Sequence, residues 1–492
     1  MAESTDISPE LQAAIQAHLN NFALSWFGPS ADDLVEGDLA EALLKRLDFA
    51  PDAGQQQALQ AIAHYLENGS DHSVFILNGA AGTGKTSLMK ALVSQFKAQA
   101  MPCFLLAPTG RAAKVLAKKT GQQATTIHKA IYTLEEVIGP GGQISGFGFV
   151  RRKFEADEPH VFIVDEASMI GAMAQKEGTM TVSSLLDDLL AFVFENSGWN
   201  RILFVGDGFQ LPPVFEIHSA ALHPAALEKR GLGVDQITLS QVMRQRGQSG
   251  ILQMANALRD QLQRQAYRLP DDFELPDDIV QIRQLEAALP LYLECYQRQA
   301  EAVCMVTYSN FWAHRINQRF RKLLHGQNEK FPLPGERMLV VKNHYLNKSD
   351  FIANGEEIEL IAHDAEIEDY AGLQWLRCEY AYEDLQGRRH IRHGRILYDL
   401  LTSKEPGLSP MAYQQLLRAR KHAETFGPFD PYLNALHLKY PYAITTHKAQ
   451  GGEWAQVFVL MEKAYGTDAQ YLRWLYTAIT RASEQLFLVA AV

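Results

Sequence analysis

The chain has 492 residues, a formal net charge of −11, 47% hydrophobic and 21% charged residues, too long for one core and ordinary for a globular protein of two to four units. No run approaches the ~18–20 apolar residues that cross a bilayer, and MAESTDISPELQ lacks the basic-then-apolar pattern of a secretory signal. Cys103, Cys295, Cys304 and Cys378 are widely separated and in no CxxC spacing, which argues against a zinc site or a disulfide framework and fits a reducing cytoplasm.

Residues 1–50 read as amphipathic helices, ELQAAIQAHLNNFALSWF and DLAEALLKRLDF, broken at Gly28-Pro29-Ser30. From residue 73 the pattern changes to short apolar runs between helical stretches. SVFILNG, PCFLLAPT, HVFIVDEAS and RILFVGD each end in small or polar residues, as buried strands of a parallel sheet do where they carry chemistry at their C-terminal ends. IGPGGQISGFGFV (138–150) reads as a β-hairpin inserted into this unit. A second α/β series starts at VCMVTYSN (303–310), resumes at AITTHKAQGGEWAQVFVLME and closes with EQLFLVAAV. Between its parts lie RMLVVKNHY, EEIELIAHD, LQWLRCEYAY and RRHIRHGRIL, the pattern of a small β-barrel, followed by a polar helix and GPFDPY.

The strongest chemical signal is GAAGTGKT at 79–86, placed between a strand and a helix. Glycines let consecutive backbone N–H groups turn around phosphates, and the helix N-terminus adds its positive dipole end. Gly79, Ala80, Ala81, Gly82, Thr83, Gly84, Lys85, Thr86 and Ser87 are the expected ATP cradle. Lys85 would reach the terminal phosphates and the Thr86 hydroxyl would hold Mg²⁺. Asp165, at the end of VFIVD, supplies the second metal-holding group, and Glu166 beside it could polarise the attacking water. Hydrolysis also needs cations where charge develops, for which Arg244 and Arg481 are candidates.

Taken in order, Gln55, GAAGTGKT, APTGRAAKVL (107–116), TTIHK (125–129), IVDEASMI (163–170), VGDGFQLPPV (205–214), LSQVMRQ (239–245), ITTHKAQGGE (444–453) and YTAITRA (476–482) resemble the motifs of superfamily 1B DNA helicases of the RecD-like and Dda-like type. The resemblance implies an α/β fold of two RecA-like P-loop domains, with a β-hairpin insertion in the first and an SH3-like β-barrel insertion in the second. The implied division is 1–50 as an N-terminal helical extension and 51–262 as the first RecA-like domain, with 132–159 as its hairpin pin. Residues 263–330 and 428–492 would form the second domain, and 331–427 the SH3-like insertion with a helical extension.

The same resemblance implies roles for single residues. Gln55 reads the adenine edge, Gln210 senses the γ-phosphate, Arg244 and Arg481 are arginine fingers, and Glu453 touches the nucleotide or couples it to DNA. Pro108, Thr109, Arg111, Thr126, His128, Thr446 and His447 contact single-stranded DNA. Phe147 or Phe149 either stacks on a base at the fork or packs its own hairpin. Tyr308 is a weak candidate for stacking on adenine. The implied activity is ATP-dependent 5′→3′ translocation and unwinding by a monomer on single-stranded and fork DNA, with a single-strand-binding or replisome protein as a candidate partner. The alternatives are an RNA-directed motor of the same superfamily and a nucleotide-gated clamp that does not unwind.

Other features carry bland readings. The basic runs at Arg111–Lys119, Arg151–Lys153, Arg315–Lys322 and Arg388–His393 are more often solvated faces than binding sites, and His390 with His393 lacks further ligands for a metal. Trp199, Trp312, Trp375 and Trp454 read as core or boundary aromatics. Asp187-Asp188 and Glu135-Glu136 read as solvated faces.

Overall fold

The computed structural model describes residues 39–138, 144–155, 158–177, 180–182, 184–240, 249–266, 276–326, 329–462 and 468–491. The helices expected within residues 1–38, and Arg244, lie outside the described residues.

The first lobe contributes, in chain order, β1 (Ser73–Gly79), β2 (Cys103–Ala107), β3 (Thr125–Thr126), β4 (Tyr132–Ile138), β5 (Ile144–Arg151), β6 (Val161–Val164), β7 (Gln175–Glu177), β8 (Met180–Val182), β9 (Arg201–Gly206) and β10 (Gly233–Leu239). Six of these form a parallel sheet in the order β10-β1-β9-β6-β2-β3. Its central strands β1, β9, β6 and β2 are buried and largely apolar on both faces because helices cover both, whereas the edge strand β10 is largely exposed. Alternation along β1 sends Phe75 and Leu77 into a core with Leu59, Leu92 and Leu116, and Val74 and Ile76 into another with Leu186, Leu189 and Val193. The helix Leu39–Lys45 joins the first of these cores through Leu39 and Leu43, so that part of the expected N-terminal extension is packed into the lobe.

The second lobe and its insertion contribute β11 (Ile279–Ile282), β12 (Val303–Thr307), β13 (Arg337–Val340), β14 (His344–Tyr345), β15 (Phe351–Ile352), β16 (Glu357–His363), β17 (Glu368–Tyr370), β18 (Leu373–Glu383), β19 (Arg389–Leu397), β20 (Leu438–Lys439), β21 (Ala443–Thr445), β22 (Trp454–Met461) and β23 (Ala482–Ala490). A second parallel sheet runs β11-β23-β22-β12-β21. The inserted segment is antiparallel, ordered β17-β18-β16-β13-β20, with β19 paired to β18.

Two sets of contacts cross the boundaries read in the sequence. The helix Gly250–Gln263 turns Ile251, Met254, Leu258 and Leu262 into one core with Val459, Leu472, Leu475 and Ile479. It therefore packs against the second lobe. The inserted sheet also reaches past residue 427, because β20 returns to pair with β13.

An antiparallel hairpin, β4–β5, leaves the first lobe and meets the insertion. The Leu134 amide donates to the Lys348 carbonyl at 2.9 Å and Lys129 Nζ pairs with Asp350 at 2.9 Å. Phe149 is buried there, its ring 5.2 Å from that of Tyr132, 5.9 Å from that of Tyr345 and 6.1 Å from that of Phe351. Phe149 is thus engaged by its own hairpin and by the insertion, the packing half of the two readings offered for this aromatic.

Candidate nucleotide site between two lobes

The loop after β1 is shaped by residues that accept a left-handed backbone. Gly84 has φ +90°, and a Cβ there would meet Gln55 Nε2 at 2.5 Å, so conformation and space both require glycine. Lys85 opens the following helix, Lys85–Ala98, and its Nζ donates to the carbonyls of Gly79 (2.5 Å) and Ala80 (3.0 Å).

Gln55 is buried, and both ends of its amide are engaged. Its Oε1 accepts from the Asp52 N–H at 3.2 Å in a capping box, and Nε2 donates to the Thr83 carbonyl at 3.2 Å. It braces the loop from behind as well as lining the cleft.

Asp165 and Glu166 follow β6 at the floor of the cleft. Burial, and next the Glu166 carboxylate beside it, push the Asp165 carboxyl up to about 7. Glu166 sits at φ +51°, a left-handed conformation uncommon for a non-glycine residue, and such strain tends to be kept at functional positions. Gly206 ends β9, and Asp207 and Gln210 follow it on the same side. The buried Gln210 Oε1 has no hydrogen-bond partner among the described residues, leaving an acceptor available at the cleft.

The opposite wall comes from the second lobe: Gly451, Gly452, Glu453, Thr480 and Arg481. Together the two walls enclose about 640 Å³, a size suited to a small organic ligand. The lobes touch closely here, since a Cβ at Gly451 (φ +73°) would lie 2.6 Å from Ala112 Cβ. Arg481 is buried and held by its own lobe, Nε donating to the Thr477 carbonyl at 3.0 Å and Nη1 to that of Gly452 at 3.1 Å. Glu453 pairs with Lys119 of the first lobe at 2.7 Å.

The residues expected on a nucleic-acid face fall in two groups. β2 and β3 pair in parallel with Ala107 opposite Thr126, so Pro108, Thr109, Thr126 and His128 gather at neighbouring strand ends. Thr109 and Thr126 cap helices, accepting from the amides of Ala112 (3.2 Å) and Lys129 (3.1 Å). Burial lowers the His128 imidazole to about 4, which keeps it neutral. β12 and β21 place Thr307 opposite Thr445. Beyond that pair, the fully buried Thr446 hydroxyl donates to the Thr307 carbonyl at 3.2 Å, and burial lowers the pKa of His447. The Arg111 guanidinium is paired to Glu357 at 2.7 Å and lies 4.9 Å over the Trp454 ring. Phe147 is half-buried, 5.7 Å from the Phe426 ring.

A family model described as an AAA domain matches residues 50–273, and one described as a UvrD-like helicase C-terminal domain matches residues 440–489. The chain is 34% identical over 196 residues to the ATP-dependent RecD2 DNA helicase of Deinococcus radiodurans, covering 40% of this chain and 23% of that protein. It is 28% identical over 163 residues to the ATP-dependent DNA helicase Dda of Enterobacteria phage T4, covering 33% and 32%. Both family models and both relatives are similarities to ATP-dependent helicases, in keeping with the resemblance to superfamily 1B. The chain matches about a quarter to a third of the length of these relatives. Among solved structures, Pif1 helicases at forked duplex DNA align over 90% of this chain and 92% of theirs, with 18% identity and a TM-score of 0.46. Bacteroides Pif1 with ADP-AlF3 and single-stranded DNA aligns over 90% and 93%, with 17% identity and a TM-score of 0.44.

Sequence reading missed two aromatics of the site. Phe49 lines the cleft beside Gln55 and the P-loop, whereas Tyr308 packs against Trp474 at 5.5 Å in the second lobe's core. Phe49 stands six residues before Gln55, a signal that could have been read. Tyr476 donates to Asp207 Oδ2 at 2.7 Å across the lobes; only its place in YTAITRA could have pointed to it.

Proposed function

We propose that this chain hydrolyses ATP between its two lobes to drive movement along single-stranded DNA and opening of a duplex. The supporting observation is that the P-loop of one lobe and the Arg481 segment of the other line a single cleft. Hydrolysis that needs groups from both walls ties chemistry to lobe closure, because ATP-bound and product-bound states then favour different interlobe contacts.

In this reading Lys85 exchanges its two carbonyl partners for phosphate oxygens, and the amides of Gly82 to Ser87 cradle the phosphate chain. The Thr86 hydroxyl and the Asp165 carboxylate would hold Mg²⁺. The fit rests on Asp165, a partly buried acid pressed by Glu166, whose charged form a nearby cation would favour. When bound, the ion neutralises phosphate charge. Glu166 orients the attacking water and accepts its proton, Gln210 presents its free Oε1 to the same region, and Arg481 turns from its backbone acceptors toward the developing charge.

On the DNA side, the two groups of strand-end residues, one per lobe, would hold the backbone without reading bases. The β4–β5 hairpin serves as the wedge, with Phe147 as its remaining candidate for a base at the fork, and the antiparallel insertion as the SH3-like element that buttresses it. Translocation 5′→3′ follows from the family resemblance.

The test is ATP turnover with and without single-stranded DNA, beside unwinding of forks carrying either a 5′ or a 3′ tail, in DNA and in RNA. Strong stimulation by single-stranded DNA and opening of 5′-tailed DNA forks are expected. Turnover that ignores nucleic acid would sink the motor reading.

A further inference from the structure

The loop after β9 is held at successive positions by the second lobe. On the helix Ala469–Ile479, Arg473, Tyr476 and Thr477 share one face by their i, i+3, i+4 spacing. Arg473 Nη1 donates to the Gly208 carbonyl at 2.7 Å, and Thr477 Oγ1 accepts from the Leu211 amide at 2.8 Å. From the adjoining segment, Gln450 Nε2 donates to the Leu211 carbonyl at 2.9 Å.

Tyr476 reaches furthest. Its ring is buried and packs edge-on against Phe209, with centroids 6.4 Å apart. Its hydroxyl donates to Asp207 Oδ2 at 2.7 Å and accepts from the Ala81 N–H of the P-loop at 3.3 Å. Asp207 Oδ1 accepts from the Phe209 amide at 3.0 Å. One phenol thus joins the P-loop to the loop that carries Gln210. The same helix runs on within one turn to Thr480 and Arg481 at the cleft.

We infer that Tyr476 is a positioning residue: its hydroxyl registers the second lobe on the P-loop and the Gly206–Leu211 loop, and so sets Gln210 and Arg481 together. It touches no reacting atom; it acts through the loop and helix it joins. The physical basis is that Arg481 follows the end of this helix by two residues, so any movement of the helix on the first lobe shifts Tyr476 and the Arg481 backbone together. Closure is then read at two places at once, the catalytic guanidinium and the Asp207–Ala81 bridge. This inference rests on the proposed ATPase cycle.

The test removes the hydroxyl alone. Tyr476→Phe keeps the ring and its packing on Phe209. In the full-length protein, amide exchange of the peptides containing Ala81 and Leu211 should quicken about tenfold without nucleotide. Turnover stimulated by single-stranded DNA should fall about tenfold, with KM for ATP within about twofold. Asp207→Asn, which still offers an oxygen to the phenol, should retain most of the turnover. Asp207→Ala should lose about tenfold as well, and combining Asp207→Ala with Tyr476→Phe should cost no more than either alone. Unchanged exchange, additive losses, or normal turnover in Tyr476→Phe would each overturn the inference. If the wild-type chain shows no DNA-stimulated turnover while exchange still quickens, the bridge stands and the motor reading falls.

Discussion

Arg111 of the first lobe donates to Glu357 Oε1 of the inserted sheet at 2.7 Å, with its guanidinium over Trp454 of the second lobe. Lys114–Glu356 at 3.4 Å and Lys119–Glu453 at 2.7 Å continue the strap along the same helix, Gly110–Thr120. Arg111, which the resemblance implies contacts single-stranded DNA, and the basic run read as a solvated face are here paired within the protein itself. If Arg111 also serves DNA, Glu357 competes with phosphate for it. Glu357→Gln should then tighten single-stranded DNA binding about fivefold, roughly 1 kcal/mol for a partly exposed pair, and Arg111→Ala should weaken it. Fluorescence anisotropy with a labelled oligonucleotide measures both; weaker binding by Glu357→Gln would count against the competition.

Asp165 makes a pH-dependent prediction. Its carboxyl is raised in the folded chain, by burial and then by Glu166, to about 7. The folded state therefore holds the proton more tightly than the unfolded chain. That contribution is fully present below the ordinary carboxylate pKa of ~4 and is lost as pH rises through about 7. At pH 8, without metal, the ionised group costs stability. Asp165→Asn should raise stability in EDTA at pH 8 by on the order of 1 kcal/mol, seen as a higher melting temperature, with little gain at pH 5, and should abolish turnover. A lowered melting temperature at pH 8 would contradict the assignment.

Phe49 offers the cleft an aromatic face beside Gln55. Stacking of a base there is worth about 1 kcal/mol. Phe49→Ala should raise KM for ATP about fivefold with kcat nearly unchanged, and Phe49→Tyr should restore it. Steady-state kinetics over an ATP series decides, and an unaltered KM would remove Phe49 from the site.

Arg321 and Glu336 form a buried pair at 2.8 Å, which Tyr442 joins by donating to Glu336 Oε1 at 2.6 Å. Arg321→Ala leaves that carboxylate buried without its cation and should cost about 3–5 kcal/mol. The loss should appear in the unfolding of the second lobe by denaturant; a change below 1 kcal/mol would mean that the pair is hydrated.

What could be read from the sequence was chemistry that local pattern dictates. A phosphate cradle needs glycines at fixed spacing before a helix, and an acid pair must stand where a buried strand ends. GAAGTGKT and VFIVDEAS therefore revealed themselves, as did two parallel sheets built from apolar runs. What escaped depends on partners distant in the chain. Nothing around Arg111 announces Glu357, nothing around Asp207 announces Tyr476, and the apolar face of Gly250–Gln263 does not say which sheet it covers. Phe149 was ambiguous for the same reason: an aromatic on a hairpin looks alike whether it meets a base or Tyr345. The basic run at Arg388–His393 proved mostly paired, with Arg388 and His390 on Asp384, Arg389 on Glu359 and His393 near Glu379.

The central claim is that one nucleotide is worked on from both lobes, Lys85 on one wall and Arg481 on the other. Single-turnover phosphate release by Arg481→Ala, with saturating single-stranded DNA, tests this most directly. A fall of about 10²–10³-fold, with nucleotide affinity little altered, is the predicted result. Release at the wild-type rate would contradict it, because the second lobe would then have no part in the chemistry.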